Sequence, residues 1–327
     1  MTTALAPGLF SIPVAIPIPS LATVNVYLLE LEGGGVALID TGWDDEASYR
    51  SLVDGVAAAG HGLDDVATII VTHAHPDHMG LARRIRDISG ARVLMHHVEV
   101  GRLRDGPTGP HAYNAAVRRT FPRWGVEASD LENWVGASAA MPARSWDVAA
   151  EPVCHGQLLD LPGWQLEALW TPGHTPGHLC LYDRTTRLLF SGDHVLPRIT
   201  PVIGMHPGEE SDPLADFLAS LEQVAALDVS TVLPAHGSPF SGVADRAAEL
   251  MAHHRQRLQE VHSRVEKQPG VTAWGLANQL TWSRPLADAP APTRRLALAE
   301  TQAHLVHLHR RGELARSGTG AERWTTT

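Results

Sequence analysis

The stretch Thr72-His73-Ala74-His75-Pro76-Asp77-His78 concentrates three histidines and one aspartate at one point of the chain. It follows residues 68–71 (TIIV), an apolar run typical of a strand that is covered on both faces. In extended backbone, side chains two residues apart point the same way, so the first two histidines can converge on one metal ion. The proline then turns the chain and directs the aspartate and the third histidine to another side, which suits two neighbouring metal ions better than one.

Three later segments have the same form, in which a predicted strand ends and a histidine or aspartate follows. Loops at strand ends can carry ligands that a rigid scaffold positions. The segments are Leu169-Trp170-Thr171-Pro172-Gly173-His174, Phe190-Ser191-Gly192-Asp193-His194 and Leu233-Pro234-Ala235-His236-Gly237.

Between these segments, strand-like and helix-like patterns alternate, which predicts an α/β fold. The predicted strands cover residues 23–30, 36–40, 68–71, 92–95, 165–170, 178–182, 187–191 and 231–233. Helices are predicted near 45–59, 81–88, 213–226 and 243–267. Residues 101–150 carry Gly, Pro and scattered aromatic residues, and we interpret them as a partly helical insertion. This insertion is either a cap over the site or a separate hydrophobic cluster.

The C-terminal residues 246–327 differ in character from the preceding part of the chain. Residues 271–280 and 294–309 have helical patterns, and residues 314–316 and 323–325 suggest a short hairpin. Helix, helix, hairpin is a winged-helix order. We therefore predict a catalytic domain over residues 1–245 and a small helical, winged-helix-like domain over residues 246–327.

The ordered motifs HxHxDH, Gly-His, Gly-Asp and His-Gly resemble those of the metallo-β-lactamase superfamily. The resemblance covers about residues 10–245, and Asp40 in Leu38-Ile39-Asp40-Thr41-Gly42 matches the early Asp-Thr-Gly of that family. It implies a four-layer αββα sandwich with the site at one edge of two sheets.

Carried over residue by residue, the resemblance also implies a dinuclear site. His73, His75 and His174 would hold one metal ion, Asp77, His78 and His236 a second, and Asp193 would bridge both. Asp40 would orient a ligand, and we expect a similar supporting role for His178, which is close to the motif. The expected cofactors are two divalent cations. We expect Zn²⁺, with Mn²⁺ or Fe²⁺ as alternatives. A bridging hydroxide would attack a carbonyl carbon, with Asp77 as the catalytic proton carrier.

Motif details narrow the expected reaction to acyl hydrolysis. Residues 171–178 (TPGHTPGH) are similar to glyoxalase II and to its thioesterase and lactonase relatives. Asp193 stands where penicillin-cleaving members often have Cys, and His75 stands where flavo-diiron relatives have Glu. The C-terminal residues resemble the winged-helix extension of lactamase-β-like-protein-2 endoribonucleases and of acyl-carrier-protein thioesterases. We expect a hydrolase of a thioester, ester or lactone, with a single-strand endoribonuclease or a mononuclear-iron persulfide dioxygenase as alternatives.

Charge and composition bear on the expected partners. The formal net charge is −10 over 327 residues. Residues 246–327 carry twelve Lys and Arg against seven Asp and Glu, a balance of +5 that leaves −15 for residues 1–245. An acidic catalytic part disfavours a long phosphate backbone, so we expect a small-molecule or carrier-bound acyl substrate, with nucleic acid as the alternative. Residues 1–29 have no Lys or Arg and four prolines, so we expect no membrane segment and a cytoplasmic location. Separately, we expect a homodimer.

Overall fold

The larger of two sheets is built mainly from the N-terminal part of the chain. The computed structural model describes residues 1–18, 21–105, 110–136 and 147–327. Seven strands follow one another across this sheet in sequence order, antiparallel from β1 to β4 and parallel from β4 to β7. They are β1 (Thr3–Ala6), β2 (Leu9–Ala15), β3 (Thr23–Glu30), β4 (Val36–Ile39), β5 (Val66–Ile70), β6 (Arg92–His96) and β7 (Glu151–Val153).

The smaller sheet has the strand order β11-β10-β9-β8, where β10 and β11 are parallel and the other neighbours are antiparallel. Its strands are β8 (Leu166–Trp170), β9 (Leu179–Asp183), β10 (Leu188–Gly192) and β11 (Thr231–Pro234). The helices are α1 (Glu46–Ala58), α2 (Pro76–Met79), α3 (Ala82–Ser89), α4 (His97–Asp105), α5 (Pro110–Thr120), α6 (Ala128–Gly136), α7 (Pro213–Ala225), α8 (Val243–Lys267), α9 (Ala273–Ala277) and α10 (Ala291–Arg310). A terminal hairpin pairs β12 (Leu314–Ser317) with β13 (Arg323–Thr326).

Three layers of apolar side chains hold the sheets and helices together. Between the sheets, a buried cluster joins Ile70 of β5 to Phe190 of β10. On the outer face of the larger sheet, α1 and α3 bury Leu52 and Ile85 against it. On the outer face of the smaller sheet, α7 and α8 bury residues such as Phe217. This arrangement is the αββα sandwich, and the predicted fold class is confirmed.

Neither of the first two strands is predicted by the sequence patterns. For β2 the reason is Pro13, since prolines disfavour strands. Pro13 pairs with Asn25, whose N–H donates instead to the Ala235 carbonyl. The nitrogen of Pro13 therefore faces away from β3. On that side β1 does not reach Pro13, since β1 begins at Thr3, which lies opposite Ser11. The missing N–H of the proline costs no ladder hydrogen bond at this position.

The described part of residues 101–150 contains the end of α4 and all of α5 and α6, and its assignment as an insertion stays a prediction. Residues 106–109 and 137–146 lie outside the described residues. Phe121 packs against Trp124 and Trp134, and the ring centroids of Trp134 and Trp274 are 4.9 Å apart. These aromatic side chains form a hydrophobic cluster with the C-terminal residues; a cap over the site stays a prediction.

The C-terminal residues show the predicted order of helix, helix and hairpin, but the winged-helix assignment and the boundary at residue 245 stay predictions. One buried apolar cluster contains residues from both sides of that boundary, for example Phe217 and Leu305. No helix in the described ranges is long and apolar enough to cross a membrane. The homodimer and the cytoplasmic location also stay predictions.

Buried histidines outside the expected ligand set are expected to make stability depend on pH. Burial lowers the pKa of His194 to about 3 and of His304 to about 4, and it also lowers the pKa of His254. The unfolded chain protonates such groups near pH 6.5, so it binds more protons than the folded chain below that pH. The free energy of unfolding should therefore fall as pH drops from about 6.5 to 4, by up to about 1.4 kcal/mol per pH unit for each group.

Denaturant unfolding at pH 7.5, 6.0 and 5.0 measures this dependence. His304→Gln should show a shallower fall in stability with pH than the wild type. His262→Gln, on the partly exposed surface of α8, should keep the wild-type fall. Identical pH profiles for all three proteins would contradict the expectation.

Candidate metal centre

Three histidine nitrogens meet where β5 and β8 end. His75 Nδ1 lies 2.9 Å from His73 Nε2 and 3.0 Å from His174 Nε2. His174 Nδ1 donates to the Val202 carbonyl at 2.9 Å, so its Nε2 carries a lone pair. His75 Nδ1 carries at most one proton, so it can donate a hydrogen bond to only one of the two nitrogens beside it. Three converging imidazole nitrogens are instead suited to a divalent cation, and they lie within 4.8 Å of one another.

A second cluster lies beside the first and contains Asp77, His78 and His236. His236 Nδ1 donates to the Thr23 carbonyl at 2.9 Å, and its Nε2 is 3.4 Å from Asp77 Oδ2. The Nε2 atoms of His78 and His236 are buried and have no hydrogen-bond partner among the described residues. Buried polar atoms are rarely left unpaired, so these nitrogens fit metal ligands.

Asp193 lies between the two clusters. Its Oδ2 is 3.5 Å from His174 Nε2 and 3.6 Å from His78 Nε2, while its Oδ1 is 3.5 Å from His236 Nε2. Asp193 Oδ1 is also buried, and no residue in the described part of the chain gives it a hydrogen bond. One carboxylate therefore faces nitrogens of both clusters.

His178 orients Asp193 through the backbone. Its Nε2 accepts the Asp193 N–H at 3.1 Å, so its Nδ1 donates to Thr171 Oγ1 at 2.9 Å. This use of both ring nitrogens agrees with a supporting role. Gly192, before the aspartate, has φ +49°, and a Cβ there would lie 2.6 Å from His178 Nε2. Only glycine fits between the imidazole and the aspartate loop.

Asp40 supports His78 in a similar way. Its Oδ2 accepts from His78 Nδ1 at 2.8 Å, and its Oδ1 accepts the Thr72 N–H at 2.8 Å. The Thr72 hydroxyl contacts this carboxylate and also lies 3.1 Å from His73 Nδ1. Asp40 has φ +63°, a left-handed conformation that aspartate tolerates better than most residues. The carboxylate therefore links ligand candidates of both clusters.

The electrostatic environment favours bound cations. Burial is the largest cause that lowers the pKa of His73, His75 and His174, so these imidazoles are neutral and can donate lone pairs. Burial also disfavours protonated His78, but the surrounding carboxylates outweigh it and raise its pKa well above its usual value. Burial raises the pKa of Asp193, yet the neighbouring imidazoles of the second cluster outweigh this and hold it well below its usual range. The first cluster thus offers neutral ring nitrogens, and the carboxylates of the second cluster favour positive charge beside them; both properties suit divalent cations.

The structure brings together all the predicted ligand candidates, and it places both predicted supporting residues beside them. Sequence reasoning missed Thr72 and Thr171, although each threonine follows a predicted strand directly before a motif. It also missed the carbonyls of Thr23 and Val202. Every residue carries a carbonyl, so no side-chain pattern marks these acceptors.

Comparison with known proteins is consistent with this geometry. The model of the metallo-beta-lactamase superfamily matches residues 20–236. The chain belongs to this superfamily. The crystal structure of a metallo-beta-lactamase family protein from Thermus thermophilus is similar over 99% of this chain and 100% of that chain, with a TM-score of 0.84 and 34% identity.

Two curated relatives are similar to most of this chain. A "Probable metallo-hydrolase YqjP" from Bacillus subtilis is 26% identical over 306 residues, 90% of each chain. A "Beta-lactamase-like protein 2 homolog" from Caenorhabditis elegans is 24% identical over 281 residues, 85% of this chain and 76% of the relative. The family and the two clusters together support an enzyme of the hydrolase class with His and Asp residues able to hold metal ions.

Proposed function

We propose that this protein is a dinuclear metal-dependent hydrolase that cleaves a thioester, an ester or a lactone. The observation that carries the proposal is the position of Asp193, whose two oxygens face ring nitrogens of both clusters at 3.5–3.6 Å. Asp193 would be a ligand of both cations, with Zn²⁺ as the ion expected first. The remaining ligands would be His73, His75 and His174 for one cation and Asp77, His78 and His236 for the other.

Two bound divalent cations would lower the pKa of a water molecule and polarise a substrate carbonyl. The chain's own contribution is orientation and proton transfer. His78, His174 and His236 each donate through Nδ1 to a fixed protein acceptor, which directs each Nε2 into the site. Such supporting bonds fix both the tautomer and the ring orientation.

Asp77 is the proposed proton carrier. The residue is 6% exposed; burial raises its pKa, but His78 and His236 outweigh burial and hold the pKa below its usual value. Asp77 is therefore ionised at neutral pH, and its carboxylate can accept the proton of the attacking water. Transferring that proton to the leaving thiolate or alkoxide would release the thiol or alcohol and complete hydrolysis.

The C-terminal charges support a small or carrier-bound acyl substrate over RNA. Within the described ranges, five of the arginines in residues 246–327 form ion pairs with carboxylates, which reduces the positive charge they offer to phosphates. They are Arg246, Arg257, Arg294, Arg311 and Arg316. Two resemblances also favour acyl hydrolysis. Residues 171–178 (TPGHTPGH) are similar to glyoxalase II and its thioesterase and lactonase relatives, and Asp193 stands where penicillin-cleaving members often have Cys.

A substrate panel with the Zn²⁺-loaded protein tests the proposal. It would contain acyl thioesters assayed by thiol release, aryl esters, lactones and a fluorogenic single-stranded RNA, each at about 50 and about 200 mM salt. We expect turnover of an acyl substrate that disappears on chelation and changes by only about threefold between the two salt concentrations, because few phosphates are contacted.

Two outcomes would contradict acyl hydrolysis. Cleavage of RNA with a loss of about 10³-fold or more over the same salt range would indicate many phosphate contacts and an endoribonuclease. Oxygen uptake with a persulfide substrate, dependent on one iron per chain, would indicate a dioxygenase.

A further inference from the structure

We propose that the C-terminal residues support the metal centre by holding the loop that orients His174. Arg246 is the main positioning residue in this proposal. This inference rests on the proposed ligand role of His174. The loop, called here the 196–212 loop, connects β10 to α7 and contains no helix or strand.

The 196–212 loop reaches the metal centre through Val202. The Val202 carbonyl accepts from His174 Nδ1 at 2.9 Å and leaves His174 Nε2 directed at His75 and Asp193. If Val202 moves, the imidazole loses the acceptor that fixes its tautomer and its rotation. The position of this carbonyl therefore bears directly on the first cluster.

Arg246, in the first turn of α8, holds the part of the loop before Val202. Its Nε donates to the Leu196 carbonyl at 2.7 Å, and its Nη2 donates to the Ile199 carbonyl at 3.0 Å. Its Nη1 is 2.7 Å from Glu249 of the same helix. One guanidinium thus links α8 to two carbonyls of the loop and is itself anchored by a carboxylate.

Helix α10 holds the part of the loop after Val202. The Met205 N–H donates to the Ala299 carbonyl at 3.0 Å, and a Cβ on Gly204 would lie only 3.0 Å from Ala299 Cβ. Further along, Asp212 is 3.1 Å from His307 of α10. The C-terminal residues therefore contact the loop on both sides of Val202.

These contacts have an entropic consequence. Fixing the backbone of each loop residue costs conformational entropy, and the loop has no helix or strand whose hydrogen bonds would offset this cost. Contacts from α8 and α10 offset part of it and keep the Val202 carbonyl in place. A ligand whose supporting acceptor is fixed beforehand binds its cation more tightly.

Titration of the metal-free protein with Zn²⁺ against a chromophoric chelator tests this inference. Arg246→Ala should weaken one of the two bound cations by about 10- to 100-fold, the usual effect of removing a supporting contact, and leave the other within about twofold. Arg246→Lys should recover part of the loss, because an ammonium can still donate to a carbonyl. Arg255→Ala, an exposed arginine of the same helix, should bind both cations like the wild type.

The same titration on His174→Ala separates this inference from the proposed ligand set. His174→Ala should lose one cation, and adding Arg246→Ala to it should leave the affinity of the remaining cation unchanged. If His174→Ala still binds both cations, the ligand assignment fails. If His174→Ala loses one cation but Arg246→Ala binds both with wild-type affinity, or weakens both equally, the positioning role is overturned and the ligand assignment stands.

Discussion

Replacing Asp193 with asparagine is expected to remove at least one cation per chain and to lower kcat/KM for acyl hydrolysis by about 10³-fold or more, equivalent to about 4 kcal/mol of transition-state stabilisation. Asparagine has nearly the same shape, but it offers one uncharged oxygen and an amide nitrogen that does not bind cations. The two carboxylate oxygens now face Nε2 atoms of His174, His78 and His236. A single weak oxygen donor cannot serve both cation positions.

A matched control comes from another buried aspartate. Asp183, at the end of β9, accepts through Oδ1 from the N–H groups of Thr185 and Thr186. Asp183→Asn keeps this acceptor and should retain wild-type metal content and activity. Elemental analysis and steady-state kinetics on both variants give the comparison. Two cations and full activity in Asp193→Asn would rule out the bridging role.

The double variant His73→Ala/His75→Ala is expected to lose the cation of the first cluster and all measurable activity. It removes two of the three nitrogens that meet there, and the His174 nitrogen alone cannot hold a divalent ion against water. The second cluster keeps its own nitrogens and carboxylates, so up to one cation should remain. Metal content after dialysis against metal-free buffer measures this directly.

The control for this variant removes two partly exposed histidines of α8, as His253→Ala/His262→Ala. It changes the same number of imidazoles and should bind as much metal as the wild type. If the His73/His75 variant also binds as much metal as the wild type, the first cluster is not a cation site.

Regular elements could be predicted where local pattern and tertiary packing agree. β3 is predicted over its full length because β-branched and aliphatic residues fill residues 23–30, and α8 because its apolar residues repeat at helical spacing. β2 could not be predicted because it contains Pro13. The proline is tolerated because its nitrogen faces a side that β1 does not reach. That condition depends on a neighbouring strand and not on the local sequence.

The candidate site was predictable for a different reason. The ligand candidates lie in loops that follow β5 of the larger sheet and β8, β10 and β11 of the smaller sheet, and the packing of the two sheets brings these loops together. The supporting contacts were less visible. Val202 and Thr23 act through carbonyls, and Arg246 acts on a loop about fifty residues away in sequence. Such contacts depend on tertiary packing, which residue types alone do not encode.

The number of divalent cations per wild-type chain tests the account most directly. The protein would be saturated with Zn²⁺, dialysed, and measured by elemental analysis against protein concentration. The geometry around Asp193 predicts two cations per chain, both removed by a strong chelator together with activity. A saturated value of one cation per chain, or none, with activity retained would contradict the dinuclear site.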